Sequence, residues 1–299
     1  MRRRLRLLAR CASNRIMGRR APLIASVKLT YRCNLACRAC PFVRQHGSQD
    51  RIMTWDKAMA SLEELAGLGC PIVVFEGGEP LLWSDGTRSF ADIALAAKKL
   101  FACVGVTTNG TVSLDVPTDI VWVSIDGTRE THDYLRSGSY DRAMGNILTS
   151  AHDRIYVHMT LNSVNAGELE TVAALASAMP QVKGLTLQLF YPYHRGEEDL
   201  ALGPEARRRV LEEALRLKRA GYPILNSAWG LGVMRDNSWR CRQFLLANVE
   251  TDGRVYTGCY AGHRAEVDCS ACGFTPVAEA SGAYDLVPGA LAAGFRIFA

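Results

Sequence analysis

An alternation of strand and helix patterns limits the fold of this chain more than any other feature. Runs rich in β-branched residues predict strands, and most segments between them have the apolar spacing of amphipathic helices. The predicted strands are 24–30, 72–76, 103–108, 120–126, 155–162 and 185–190, and the predicted helices are 55–68, 89–101, 140–152, 168–179 and 205–220. The segment 110–119 is too short for a full helix. Such alternation favours a parallel sheet with right-handed crossovers. The predicted fold class is therefore α/β, a partial (β/α)6 TIM-like barrel.

Three cysteines, Cys33, Cys37 and Cys40, follow the first predicted strand directly. Three thiolates hold three irons of a cubane cluster and leave the fourth iron open for an exogenous ligand. That arrangement suits a cluster that must contact its substrate. A structural zinc knuckle or three unrelated buried thiols are the alternatives. Zinc sites usually pair CxxC units and close at four ligands, which disfavours zinc here.

The CxxxCxxC spacing and the Gly-Gly-Glu-Pro run after the second predicted strand resemble the radical S-adenosylmethionine (radical SAM) superfamily. The two glycines of this run allow the backbone to approach a ligand closely, and the glutamate offers an acceptor. The resemblance implies that Gly77, Gly78 and Glu79 bind the amino group of the methionine moiety of SAM. It also implies a 4Fe-4S cluster that is coordinated by the three cysteines and by SAM.

Polar residues end the later predicted strands, where the chemistry of such barrels gathers. By resemblance, Ser124 and Asp126 face the ribose and carboxylate region of SAM, and Arg136 pairs with the SAM carboxylate through a bidentate fork. Asn109 and Asn162 are expected to be their neighbours in the same site. A role as a helix N-cap or turn residue is the alternative for each of these five.

A second set of four cysteines lies near the C-terminal end of the sequence: Cys241, Cys259, Cys269 and Cys272. The segment 247–256 alternates around an Asp-Gly turn and predicts a β-hairpin that brings its flanking thiols together. The set resembles the shortened twitch form of the SPASM extension, which implies one auxiliary 4Fe-4S cluster closed by four thiolates. Zinc bound by the same cysteines is the alternative. The predicted domains are a basic tail at 1–22, the barrel at 23–225, and the auxiliary domain with its C-terminal tail at 226–299.

The net charge of +5 belongs to the N-terminal tail. The first 20 residues contain eight arginines and no acid, whereas the rest of the chain carries 27 basic and 30 acidic side chains. Leucines among these arginines allow an amphipathic helix that either makes peripheral contact with anionic lipid or packs as a solvated helix beneath the barrel. The acidic body and the lack of aromatic residues among the arginines argue against nucleic-acid binding.

Cysteine usage and hydropathy bound the cellular setting. No apolar run reaches the roughly 18 residues of a membrane-spanning helix. Ten cysteines without a convincing secretory signal favour a reducing compartment, in which clustered thiols indicate metal binding or catalysis. We therefore expect a cytoplasmic enzyme, with membrane contact only through the basic tail.

The resemblance implies that SAM is cleaved to methionine and a 5′-deoxyadenosyl radical, with electrons from a reductant such as flavodoxin or ferredoxin. A closed auxiliary cluster favours net oxidation of a small molecule, an alcohol or amine in a sugar or aminocyclitol. A sugar epimerase needs a hydrogen-atom donor, and Cys11, Cys70 and Cys103 are not placed for that task. Further alternatives are a lipid-modifying enzyme docked by the tail and a peptide maturase. About 20 residues ahead of the barrel leave no room for the leader-recognition module that a maturase is expected to have.

Candidates for substrate contact follow the last predicted strand. Tyr191, Tyr193, His194 and Arg195 place aromatic and basic groups at the expected barrel mouth. An ordinary surface loop is the alternative interpretation of the same segment.

Overall fold

The fold is built on one large sheet, seen in a computed structural model that describes residues 12, 15–42, 52–194, 196–262 and 266–299. The strands are β1 (Ile24–Thr30), β2 (Ile72–Gly77), β3 (Ser84–Asp85), β4 (Arg88–Ser89), β5 (Cys103–Thr108), β6 (Ile120–Ser124), β7 (Ile155–Leu161), β8 (Val182–Leu189), β9 (Leu246–Val249) and β10 (Val255–Thr257). Eight of them form a sheet in the order β10-β9-β1-β2-β5-β6-β7-β8, and β3 and β4 form a separate hairpin. Neighbours from β9 to β8 run parallel, as the sequence predicted for the barrel strands.

Helices connect most of the parallel strands. Those whose bounds lie within the described residues are α1 (Trp55–Gly67), α2 (Phe90–Leu100), α3 (Arg129–Leu135), α4 (Tyr140–Thr149), α5 (Leu169–Ala178), α6 (Pro204–Arg219), α7 (Ala228–Val233), α8 (Thr275–Tyr284) and α9 (Pro288–Phe298). All six predicted strands and all five predicted helices are present, with ends that differ by at most three residues. The connection from β5 to β6 contains no helix, which confirms the shortened crossover.

The two faces of the sheet differ in chemistry. Side chains such as Val27, Phe75 and Val106 are fully buried in the main hydrophobic core, to which the helices contribute. Because side chains alternate along a strand, the intervening residues share the opposite, inner face. Near the amino ends of the strands this inner face is apolar and is covered by Ile297 and Phe298 of α9. Toward the carboxyl ends it becomes polar, with Ser26, Lys28, Glu76, Ser124, His158 and Thr186.

The predicted hairpin at 247–256 is part of the main sheet. Strand β9 pairs in parallel with β1, and β10 pairs antiparallel with β9. The sheet therefore contains strands from both sides of residue 225, the predicted boundary between the barrel and the auxiliary domain. The long connection after β8 returns the chain to the edge of the sheet beside β1. The segment that carries the second cysteine set is consequently hydrogen-bonded to the strand that precedes the first set.

The described part of the basic tail packs on the C-terminal helices. Arg15 lies 5.0 Å from the ring centre of Tyr284 and 3.8 Å from Asp285, while Ile16 is 84% exposed. The predicted amphipathic helix falls mostly on residues 1–11, 13 and 14, which lie outside the described residues. Within the described part of the chain, no helix is both long and apolar enough to cross a membrane.

Candidate functional site

The last residue of β2, Gly77, and the glycine after it contact the first cysteine loop. The Gly78 amide donates to the Thr30 carbonyl at 2.8 Å, and the Glu79 amide donates to the Arg32 carbonyl at 2.8 Å. A Cβ at Gly78 would lie 2.1 Å from the Arg32 carbonyl oxygen, and Gly77 adopts φ +122°. These glycines admit the backbone of the loop that carries the cysteines. Their contact with SAM stays a prediction.

The three thiols of this loop lie close enough to affect one another. Burial raises the pKa of the Cys33 thiol, and the negative charge of Cys40 raises it further. Burial, together with Cys40 and Cys33, raises the pKa of Cys37 to about 12, although Arg136 acts in the opposite direction. Thiolates gathered in this way require compensating positive charge. The donor set therefore fits a cationic group such as an iron-sulfur cluster.

Glu79 is a fully buried carboxylate at the centre of the site. It accepts hydrogen bonds from the Leu81 amide at 3.1 Å, the Thr108 hydroxyl at 2.7 Å and the Asn109 amide at 2.8 Å. Burial outweighs these bonds and raises the pKa of Glu79 to about 7. An ammonium group placed against Glu79 would favour its ionised form, because an opposite charge lowers the pKa of a buried acid.

Arg136 directly follows α3, a helix that the sequence analysis did not predict. Its Nε donates to Asp126 Oδ2 at 2.5 Å, and the other Asp126 oxygen accepts from the Thr160 amide at 2.8 Å. The Arg136 charge lowers the pKa values of both Glu79 and Cys37, so these three groups share one electrostatic environment. Asp126 thus orients the arginine that was predicted to bind SAM.

The other residues predicted to lie near SAM differ in what their side chains contact. Asn109 donates to Asn34 Oδ1 at 2.9 Å and lies 3.7 Å from the Cys33 sulfur, so it organises the cysteine loop. Asn162 accepts from the Val164 amide at 2.9 Å, which is the turn role given as its alternative. Ser124 is buried on the inner face, beside His158 in the neighbouring strand.

The second cysteine set is electrostatically coupled through Cys241. Burial and the charges of Cys272, Cys259 and Cys269 raise the pKa of Cys241 to about 11. The Cys241 thiol therefore lies within electrostatic reach of the other three, and their joint binding of a cluster stays a prediction. Among the described residues, no three His, Cys, Asp or Glu side chains are grouped so as to hold a single metal ion.

The predicted mouth residues are divided between a buried cluster and an exposed loop. Tyr191 and Tyr193 are buried and pack in one aromatic cluster with Phe274. The Tyr191 hydroxyl accepts from the Asp268 amide at 2.9 Å, beside the second cysteine set. His194 is exposed, and Arg195 lies outside the described residues.

Sequence reasoning missed a buried ionic network on the inner face. The Lys28 ammonium is completely buried, 3.3 Å from Glu76 Oε1 and 3.9 Å from Glu250 Oε1. It lies 4.5 Å from the ring centre of Tyr260, whose hydroxyl donates to Glu76 at 2.6 Å. Tyr260 follows Cys259, so this network connects the inner face with the second cysteine set. The sequence did contain a signal for this network, namely Lys28 and Glu76 inside strands that are otherwise mostly apolar.

Known proteins share both the sequence and the fold. Residues 27–176 match the Radical SAM superfamily. The chain is 30% identical over 169 residues to the sporulation killing factor maturation protein SkfB of Bacillus subtilis, covering 50% of this chain and 38% of SkfB. It is 26% identical over 214 residues to the Fe-coproporphyrin III synthase of Methanosarcina barkeri, covering 65% and 52% of the two chains. This chain thus spans about half the length of the curated relatives it matches.

A solved structure extends the comparison of folds. Streptococcus suis SuiB bound to its precursor peptide SuiA superposes with a TM-score of 0.64 at 14% identity, covering 96% of this chain and 70% of SuiB. Such low identity supports the α/β fold with its parallel sheet and nothing finer. The family match spans half of the chain and includes the first cysteine loop, Glu79 and Arg136. The chain therefore belongs to the radical SAM superfamily.

Proposed function

We propose that this chain is a two-cluster radical SAM enzyme that removes two electrons and two hydrogens from a small polar metabolite. Its sheet would close as a partial (β/α)6 barrel, with the auxiliary site beside the mouth. The electrostatic coupling of Cys241 to Cys259, Cys269 and Cys272, next to the inner-face ionic network, is the observation that supports the proposal. A cluster held by Cys33, Cys37 and Cys40 supplies the electron, delivered by a flavodoxin or ferredoxin, that cleaves SAM into methionine and a hydrogen-abstracting 5′-deoxyadenosyl radical.

The residues around Glu79 and Arg136 bind SAM in this proposal. The buried Glu79 carboxylate takes the amino group, because an ammonium supplies the charge that burial leaves uncompensated. Arg136 takes the SAM carboxylate through its terminal nitrogens, while Asp126 holds its Nε. Asn109 fixes the cysteine loop through its bond to Asn34, and Ser124 would face the ribose of SAM. This assignment places opposite charges against the two ends of a zwitterion.

The inner-face network suits a substrate that donates hydrogen bonds. Lys28 is completely hidden, whereas the side chains of Glu76 and Glu250 remain 23% and 13% exposed. The accessible charged groups of this network are therefore the two carboxylates. A substrate hydroxyl or amine can bind to them, and a carboxylate can accept the proton that oxidation releases. An alcohol or amine carbon is accordingly the proposed site of reaction.

A peptide substrate is the second candidate. SkfB is named as a maturation protein, and another relative, with 29% identity over 210 residues, is the mycofactocin maturase MftC of Mycobacterium tuberculosis. SuiB was solved with a precursor peptide bound. Hydroxyl and amide groups of a peptide would satisfy the same inner-face carboxylates. Neighbouring genes provide the test substrates: precursor peptides that they encode, and small alcohols or amines that their enzymes make. The class of compound that the purified protein converts separates the two candidates.

Loss of either charged SAM partner is expected to weaken SAM binding. Glu79→Ala and Arg136→Ala should each reduce the affinity about tenfold or more, because a hydrogen bond to a charged group contributes roughly 1.5 to 3 kcal/mol. Arg129→Ala is the matched control, since this exposed arginine on α3 pairs with Asp141 instead. Equilibrium dialysis with labelled SAM measures the affinity, and iron analysis checks the clusters. Unchanged affinity in both test variants would refute the assignment.

Turnover in deuterium oxide is expected to give a product two hydrogens lighter than the substrate, with no deuterium bound to carbon. Oxidation would send one substrate hydrogen atom to 5′-deoxyadenosine, one proton to a base and one electron to the auxiliary cluster, so nothing is returned to the substrate carbon. Mass spectrometry of the product and of 5′-deoxyadenosine measures both fates. A product of unchanged formula with one carbon-bound deuterium would instead establish epimerisation.

A further inference from the structure

The CxxC turn at 269–272 is held from one side by two polar residues outside it. Arg207, on α6, is buried, and its Nη2 donates to the Cys272 carbonyl at 2.7 Å. The same nitrogen donates to Asn237 Oδ1 at 2.6 Å. Its Nε donates to the Met234 carbonyl at 2.7 Å, which fixes the guanidinium plane. Arg207 therefore joins the turn to the segment that follows α7.

Asn237 binds the same turn with its side-chain amide. Its Nδ2 lies 3.1 Å from the Cys269 carbonyl, 2.9 Å from the Ser270 carbonyl and 3.2 Å from the Cys272 carbonyl. Asn237 itself has φ +54°, a left-handed conformation that asparagine tolerates better than most residues. Two side chains thus contact three of the four carbonyls in the turn.

The opposite side of the turn is fixed by the sheet. The Leu189 amide donates to the Gly273 carbonyl at 3.1 Å, and a Cβ at Gly273 would lie 2.3 Å from the Leu189 carbonyl oxygen. The backbone after the turn is therefore pressed against the end of β8. An exposed CxxC turn would not need a buried arginine for its own stability, because water could satisfy the same carbonyls. The bonds serve instead to give the two sulfurs one fixed position.

We propose that Arg207 and Asn237 are positioning residues for the auxiliary cluster. They hold the 269–272 turn so that Cys269 and Cys272 present their sulfurs together, and Arg207 places one positive charge beside the thiolates. This inference rests on the auxiliary cluster of the proposed function. Hydrogen bonds and nearby charge around the ligands govern both the retention of a cluster and its reduction potential.

The test uses the chain with Cys33→Ala, Cys37→Ala and Cys40→Ala, so that only the auxiliary site can bind iron. Into this background we would introduce Asn237→Gly, Arg207→Met or Arg207→Lys. Glycine accepts the left-handed backbone and removes only the amide. Arg209→Met is the control, because Arg209 lies on the same helix but is exposed and pairs with Glu205. Anaerobic reconstitution is followed by iron release to a ferrous chelator and by a redox titration monitored by electron paramagnetic resonance.

Asn237→Gly and Arg207→Met are expected to release iron about tenfold faster than the background, as loss of outer-shell partners typically costs 10- to 100-fold in metal affinity. Only Arg207→Met should shift the midpoint potential, toward more negative values, because it alone removes a charge. Arg207→Lys should keep the midpoint potential of the background, because lysine retains the positive charge. It should still release iron quickly, because lysine cannot make the same set of hydrogen bonds. Arg209→Met should change neither quantity.

Two results would overturn the inference. One is retention of iron and potential in Asn237→Gly and Arg207→Met as in the background. The other is loss of SAM binding when the same substitutions are made in the parent chain, which would indicate general misfolding instead of a local role. If the chain that lacks only Cys33, Cys37 and Cys40 binds no iron, the auxiliary cluster itself is refuted. Failure of the proposed function can therefore be distinguished from failure of this inference.

Discussion

Replacing Cys33, Cys37 and Cys40 together by alanine is expected to abolish SAM cleavage and to lower the iron content from about eight to about four per chain, because three thiolates hold one cluster and four hold the other. The loop places these thiols near Glu79 and Arg136, so the proposed cluster of this loop is the one expected to contact SAM. Colorimetric iron and sulfide assays give the stoichiometry, and chromatography of 5′-deoxyadenosine gives the activity.

Cys70→Ala provides the matched control for this triple variant. Cys70 is buried just before β2, and its thiol donates to the Ile72 carbonyl at 3.2 Å. Iron content and SAM cleavage should therefore stay at the parent level in this variant. Zinc in the parent protein, or only about four irons there, would contradict the two-cluster assignment.

Replacing Lys28 by methionine is expected to lower the free energy of unfolding by about 3 kcal/mol, because removing one partner of a buried ion pair leaves its counter-charges uncompensated. Glu76 and Glu250 would then both lose the ammonium that lies near each of them. Anaerobic urea unfolding monitored by tryptophan fluorescence measures the change.

The double variant Lys28→Met/Glu76→Gln separates charge from packing. Removing one of the stranded carboxylates should recover part of the lost stability, since one fewer buried negative charge remains. Arg209→Met, which breaks an exposed pair with Glu205, should have little effect on stability. Equal loss in the single and double variants would show that Lys28 matters through packing alone.

Local patterns were sufficient to predict the elements of the sheet. The β-branched runs at β1, β5 and β7 and the amphipathic spacing of α1 and α6 are properties of neighbouring residues, so the sequence displays them directly. The short helix α3 was missed because its seven residues, Arg129–Leu135, carry polar residues that resemble a loop. Helix α9 was missed because its role is tertiary: Ile297 and Phe298 pack on the inner face of the sheet.

The candidate site also contains residues that the sequence predicted and contacts that only the fold revealed. The spacing of Cys33, Cys37 and Cys40 was sufficient to predict one cluster, since the three thiols lie on one short loop. The resemblance of the contiguous Gly-Gly-Glu-Pro run to the radical SAM superfamily predicted Glu79. Asp126 was predicted to face SAM, and its direct bond to Arg136 emerged only from the fold.

The sequence by itself determined the candidate residues for the chemistry of this protein: two sets of thiols, one carboxylate and one arginine, on alternating strands and helices. Only the tertiary structure decided how they are supported. Gly78 contacts the cysteine loop, and β9 pairs with β1. Lys28 forms ion pairs with Glu76 and Glu250, and Arg207 donates a hydrogen bond to the Cys272 carbonyl. These contacts join residues from 46 to 222 positions apart. No periodicity along the chain encodes such pairings, because they depend on how separate elements pack.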